Sequence, residues 1–202
     1  MLQGRRIAPL PIDLYRAARR SVTSLFSNLV TRPTGRAIRT AVESQLAEME
    51  AGPSLCLSIL DFSQVRILDY SCADEIVAKL LLRFLGEERP AEAYFVVRGV
   101  QEHHVEAIEA VLERHELLLV AEDDEGYVHL LGGANPVHRV TWDALARRGR
   151  ATAAELVAET GLAEEAIAAT FTGFMIQRVV VPHGDGTVSP LSALLLDEDG
   201  SA

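Results

Sequence analysis

Between residues 55 and 131, short and almost unbroken apolar runs alternate with stretches whose apolar residues recur at helical spacing. Leu55-Cys56-Leu57-Ser58-Ile59-Leu60 is the first run, closed by Asp61-Phe62. A turn is expected at Ser63-Gln64-Val65, then a short piece Arg66-Ile67-Leu68. A helix over 72–85 follows, turning Ala73, Ile76, Val77, Leu80, Leu81 and Phe84 inward. Strands at 93–97 and 117–120 flank a helix whose stripe is Val105, Ile108, Val111 and Leu112. Residues 122–126 read as an acidic turn, and 127–131 as a hairpin strand. Runs apolar on every residue belong to strands covered on both faces. Strand–helix–strand repeats with short connections imply right-handed crossovers. The expected fold is therefore α/β, with a mainly parallel sheet and flanking helices.

Two helices are expected ahead of this core. Residues 12–30 set Leu14, Ala18, Val22, Leu25, Phe26 and Leu29 at helical spacing, interleaved with Arg16, Arg19 and Arg20. A basic amphipathic helix can lie on a membrane or dock on a partner. Packing on its own domain is the commoner outcome. Thr31-Arg32-Pro33-Thr34 then starts a second helix that reaches Met49.

Past the core, Gly132-Gly133-Ala134-Asn135-Pro136 reads as a linker. Helices are expected at 141–147, at 153–159 with Thr152 as cap and Gly161 as stop, and at 163–177. Val179-Val180-Val181 and Thr187-Val188, joined through Asp185-Gly186, read as a hairpin. Helices followed by a hairpin describe a small C-terminal winged helix. The domain reading is an amphipathic helix at 1–30, an α/β domain at 31–131, a linker at 132–136, a winged helix at 137–195 and an acidic tail at 196–202.

Charge narrows the partners. The net charge is −10, yet residues 1–50 hold eight basic against four acidic side chains. The acidic remainder repels nucleic acid and favours basic proteins. The expected third helix of the winged unit carries Glu164 and Glu165 and no basic residue before Arg178. Arg147, Arg148 and Arg150 are the candidate nucleic-acid contacts, with Arg5, Arg6, Arg16, Arg19 and Arg20 as a basic arm. No apolar run reaches the ~20 residues that span a bilayer. Nothing at the N-terminus resembles a signal peptide, and the two cysteines, Cys56 and Cys72, do not make a disulfide framework. A cytoplasmic setting is expected.

Leu60-Asp61-Phe62, Val65, Ile67-Leu68-Asp69 and the helix opening after Tyr70-Ser71 resemble the STAS family of sulphate transporters and anti-sigma factor antagonists. That family's Asp-Ser-Ser-Gly is here Asp69-Tyr70-Ser71-Cys72, matching at Asp69 and Ser71 and departing at Tyr70 and Cys72. A closer resemblance is to a STAS-like bacterial family of unknown function. Thr31-Arg32, Leu60-Asp61-Phe62-x-x-Val65 and Cys72-Ala73-Asp74-Glu75 stand in the places of its motifs. The likeness covers roughly residues 30–131 and implies a non-catalytic partner-binding module.

By position Ser71 would be the phosphate acceptor of a partner serine kinase. A helix N-terminus suits phosphate, although Asp74 and Glu75 in the same turn would repel it. The competing reading makes Ser71 an N-cap. Arg32, Asp69, Tyr70, Ser71, Asp74 and Glu75 form the candidate partner-binding set, and Arg32 with Asp74 and Glu75 is equally an internal ion pair. His103, His104 and His115 are expected on solvated helix positions, without metal-ligand spacing around them. No catalytic, metal or cofactor site is expected. Three readings follow: a regulatory or scaffold protein that binds a partner and switches it, a DNA-binding regulator, or a structural subunit of a larger assembly. A homodimer is compatible with each.

Overall fold

The computed structural model describes residues 19–48, 56–87, 89, 93–123 and 125–194. Its centre is a sheet of β1 (Arg19–Leu29), β2 (Cys56–Leu68), β3 (Ala93–Val100), β4 (Leu118–Asp123) and β5 (Val128–Gly132), ordered as in the chain. The first four strands run parallel, and β5 returns antiparallel to β4. The connecting helices are α1 (Arg32–Glu48), α2 (Tyr70–Ala73) continuing through a π-helical turn (Asp74–Ala78) into α3 (Lys79–Leu85), and α4 (Glu102–Arg114).

Strand order equal to chain order has a consequence. Right-handed crossovers that always step the same way put every connecting helix on one face. Cys56, Leu60, Phe62, Phe95, Val97 and Leu119 meet those helices in one core. Their neighbours Leu57, Ile59, Tyr94, Val96, Leu118 and Val120 point the other way and are also buried. The chain after β5 covers them. It forms α5 (Pro136–Arg148), α6 (Ala153–Thr160), α7 (Glu164–Ile176), a β6 (Val180–Pro182) and β7 (Val188–Pro190) hairpin, and a 3-10 turn (Leu191–Leu194). Trp142, Leu145, Ile167, Phe171 and Phe174 share a core with that second sheet face. Gln177 also binds the Leu118 N–H and the Glu116 carbonyl, and Arg178 donates to the Ala93 carbonyl at 2.8 Å.

Several expectations need correction. Residues 19–29, read as the end of a helix, are a strand, whereas residues 1–18 lie outside the described residues. The ambiguity is geometric. Leu25 and Leu29, both buried, are four apart, a spacing that returns to the same face in a helix and in a strand alike. The turn expected at Ser63-Gln64-Val65 is strand, because β2 runs on to Leu68 and absorbs the irregularity as register shifts against β1. The linker is largely structured. Gly132 ends β5, Asn135 accepts from the His138 N–H at 2.9 Å, and Pro136 opens α5 five residues before the expected start. Thr152 is the expected cap, completed by Glu155 into a capping box, and Gly161, at φ 68°, ends α6 as expected. The basic residues Arg5, Arg6 and Arg16 and the acidic tail 196–202 lie outside the described residues.

Candidate functional site

The candidate residues gather where α1 crosses the start of α2. Close approach is set by Gly35, where a Cβ would stand 3.0 Å from the Glu75 Cβ and 3.1 Å from the Cys72 Cα. Cys72 answers by donating its thiol to the Thr31 carbonyl at 2.9 Å, and burial pushes that thiol's pKa up. Both cysteines are buried and free.

Asp69, not Ser71, is the N-cap. It accepts the Cys72 N–H at 2.8 Å and the Ser71 hydroxyl at 2.9 Å. A carboxylate has acceptor capacity for both bonds, so the hydroxyl becomes a donor to the cap. The Asp74 and Glu75 side chains take no part in the N-cap. The two residues begin the π-helical turn and are buried, with side chains 10% and 1% exposed. Single π turns inside α-helices occur frequently at functional sites.

Here the turn directs two consecutive carboxylates at one set of cations. Arg32 binds Asp74 at 2.9 Å and Glu75 at 3.1 Å, and Lys79 reaches both. Arg39 holds Glu75 at 3.3 Å and Glu43 at 2.7 Å, while His115 binds Asp74 at 3.0 Å. The Arg32 pairing expected from the sequence is therefore present. Arg39, Lys79 and His115 escaped sequence reading. Only Lys79, four residues after Glu75, left a local signal.

Burial disfavours the ionised form of Asp74, but hydrogen bonds from His115, Arg32 and Lys79 outweigh it and hold its pKa at about 2. Glu75 is lowered too, because Lys79 and Arg32 overcome the same burial penalty. Carboxylates held this low stay ionised at neutral pH and suit anchoring rather than proton transfer. The folded pKa of Asp74 lies below the ~3.9 of an unfolded aspartate, so the unfolded chain takes up this proton first as pH falls. The contribution is complete above about pH 4 and is lost between about pH 4 and pH 2, on the order of 2 kcal/mol. Acid unfolding should fall through that window, and Asp74→Asn should flatten it. An unchanged acid profile in the variant would refute the assignment.

Tyr70 lies half exposed on the outside of this cluster and donates to Glu106 at 2.8 Å. His103 is exposed on α4 as expected, but His104 and His115 depart from expectation. His104 is fully buried and accepts the Gln101 N–H at 3.2 Å, and burial lowers its pKa. His103 Nε2 lies 3.0 Å from the Arg66 carbonyl, and His115 belongs to the ion cluster. Among the described residues, no group of His, Cys, Asp and Glu converges as a metal site.

The arginines proposed for nucleic acid are engaged by acids. Arg147 holds Glu159 at 2.8 Å and Arg148 approaches it at 3.8 Å. Arg150 binds Asp185 and Thr187, each at 2.6 Å. The exposed start of α7 presents Glu164 and Glu165. Among the described residues, no helix is long and apolar enough to cross a membrane. No protein-family model matches the chain, and no curated protein matches it in sequence.

Proposed function

We propose that this chain is a non-catalytic regulatory or scaffold protein whose sheet domain, of the STAS-like kind, binds a protein partner around the start of α2. The observation that carries this reading is exposure. Ile67 and Tyr70 are each 50% exposed and Val30 is 44% exposed, at neighbouring chain ends of β1 and β2. Isolated exposed hydrophobes are ordinary, but a group of them marks an interaction surface. The charges beneath are neutralised internally, which leaves the aromatic and aliphatic groups as the recognition elements. Tyrosine suits such a place, having an apolar ring and a polar tip.

Phosphorylation of Ser71 is the sharper form of the proposal, with a partner serine kinase as donor. A phosphate there would repel Asp69, compete for the Cys72 N–H and loosen the first turn beneath Tyr70. The test is capture from the native host by tagged protein, with nuclease-treated lysate. The wild type should retain a partner. Ile67→Ser with Tyr70→Ala should weaken capture on the order of tenfold or more while melting unchanged, and Ser71→Asp should alter capture where Ser71→Ala does not. Equal capture by the Ile67/Tyr70 variant would refute the site.

A second reading, a DNA-binding regulator, draws support from element order. Helices α5 to α7 lead into the β6–β7 hairpin, and Ala151 bridges to Val188 as an added strand segment. That is the order of a winged helix. Phosphate contacts supply most of the affinity for DNA, and Arg147, Arg148 and Arg150 are already paired with acids. Salt-sensitive DNA binding at low ionic strength would support this reading. A third reading, an assembly subunit, is tested by truncation after residue 18, because removing residues 1–30 would also remove β1.

A further inference from the structure

We propose that the outer edge of β5, between α4 and α5, is a second docking site, which takes an extended basic segment of a protein partner by strand addition. The hydrogen-bond phase of the edge comes first. The β4–β5 register pairs Leu119 with Leu131 and Ala121 with His129. Just beyond it, the Asp123 N–H donates to the Tyr127 carbonyl at 3.0 Å and the Gly133 N–H to the Leu117 carbonyl at 3.2 Å. These bonds fall in step with the Leu131 and His129 pairs. In an antiparallel ladder the intervening residues turn their backbone groups the other way. Val128 and Leu130 therefore direct N–H and C=O away from β4, and among the described residues β5 pairs with β4 alone.

That edge lies in a groove of about 570 Å³. Val128, Leu130 and Leu131 form its floor, with Val105 of α4 on one wall and Trp142 of α5 on the other. Trp142 is only 2% exposed, and its indole N–H has no hydrogen-bond partner among the described residues. The apolar floor and the outward backbone groups of Val128 and Leu130 point to the same kind of ligand, an extended strand.

The rim decides the sign of that ligand. Glu102 and Glu109 come from α4, Asp123 and Glu125 from the hairpin, and Asp143 from α5. Facing them are Arg139 and His129, the latter bonded to Asp123 at 2.9 Å. The excess of carboxylates selects basic side chains and rejects anions. A strand in this groove would alternate its side chains between the α4 and α5 walls, so that backbone bonds supply affinity and alternate side chains supply selection. The site lies across α4 from Tyr70 and goes beyond the partner surface proposed above.

The test uses the full-length chain and fluorescein-labelled ten-residue peptides read by anisotropy at low ionic strength. A peptide alternating arginine with valine should bind saturably, on the order of tenfold or more tighter than one alternating glutamate with valine. Joint Glu102→Gln, Glu109→Gln and Asp143→Asn substitution should cost a similar factor, and raised salt should weaken the wild type. Val128→Pro removes an outward N–H without breaking a bond to β4, and should also weaken binding. Should that variant fail to fold, amide shifts of the wild type decide, and they should concentrate on residues 128–132. Absence of saturable binding, equal binding of the glutamate peptide, indifference to the charge substitutions, or amide shifts elsewhere would each overturn the proposal. The Ile67→Ser, Tyr70→Ala variant should bind the arginine peptide as the wild type does, so this site and the α2 surface fail independently.

Discussion

Glu75→Ala should lower the free energy of unfolding by about 3–5 kcal/mol, the range seen when one member of a buried ion pair is removed. The carboxylate is 1% exposed and is bound by Arg32, Arg39 and Lys79. Its loss leaves three cations facing a site built for an anion. Arg32 and Lys79, 46% and 36% exposed, can turn towards water. Arg39, at 22%, has less freedom but keeps Glu43. The effect should therefore sit towards the lower end of that range. Glu75→Gln keeps the shape and one acceptor, and should cost less, about 1–3 kcal/mol. Urea denaturation measures both. A midpoint unchanged in Glu75→Ala would mean that α1 is held to the π-helical turn by apolar packing alone.

Phe174→Ala should cost about 3–5 kcal/mol, as expected for an aromatic side chain deleted from a closed core. Phe174 is fully buried on α7, edge-on to Trp142 at 6.0 Å and tilted against His138 at 5.6 Å. Trp142 is the single tryptophan of the chain, so its fluorescence reports this core directly. Its emission should shift to the red in the variant. Because α5 to α7 cover a face of the sheet that the crossover helices do not reach, tryptophan fluorescence and far-ultraviolet circular dichroism should give one coincident unfolding transition. Two separated transitions would mean that the C-terminal helices fold apart from the sheet.

Local signals identified most of the elements correctly. β3 and β4 announced themselves as unbroken apolar runs, and α6 by its Thr152 cap and Gly161 stop. The Arg32 pairing with Asp74 and Glu75 was one of two readings the sequence offered, and the structure forms it. Misreadings arose where two periods share a spacing or where pairing overrides a turn signal. Leu25 and Leu29 fit either a helix or a strand until β2 supplies a neighbour. Ser63-Gln64-Val65 reads as a turn until β1 offers a partner. The capping role passed from Ser71 to Asp69 because a two-residue difference in helix start is below the resolution of propensity.

What the sequence determined by itself was the α/β class, the mainly parallel sheet and the burial of both faces of its strands. Those properties follow from residue periodicity, which each segment carries alone. Only the tertiary structure decided what covers the second face, which cations close on Glu75 and, among the described residues, where β5 turns backbone groups away from β4. His115 meets Asp74 across 41 positions, and Gln177 meets Leu118 across 59. Contacts of that separation exist only once right-handed crossovers have stacked every connecting helix on one side, leaving the other side for the chain that follows.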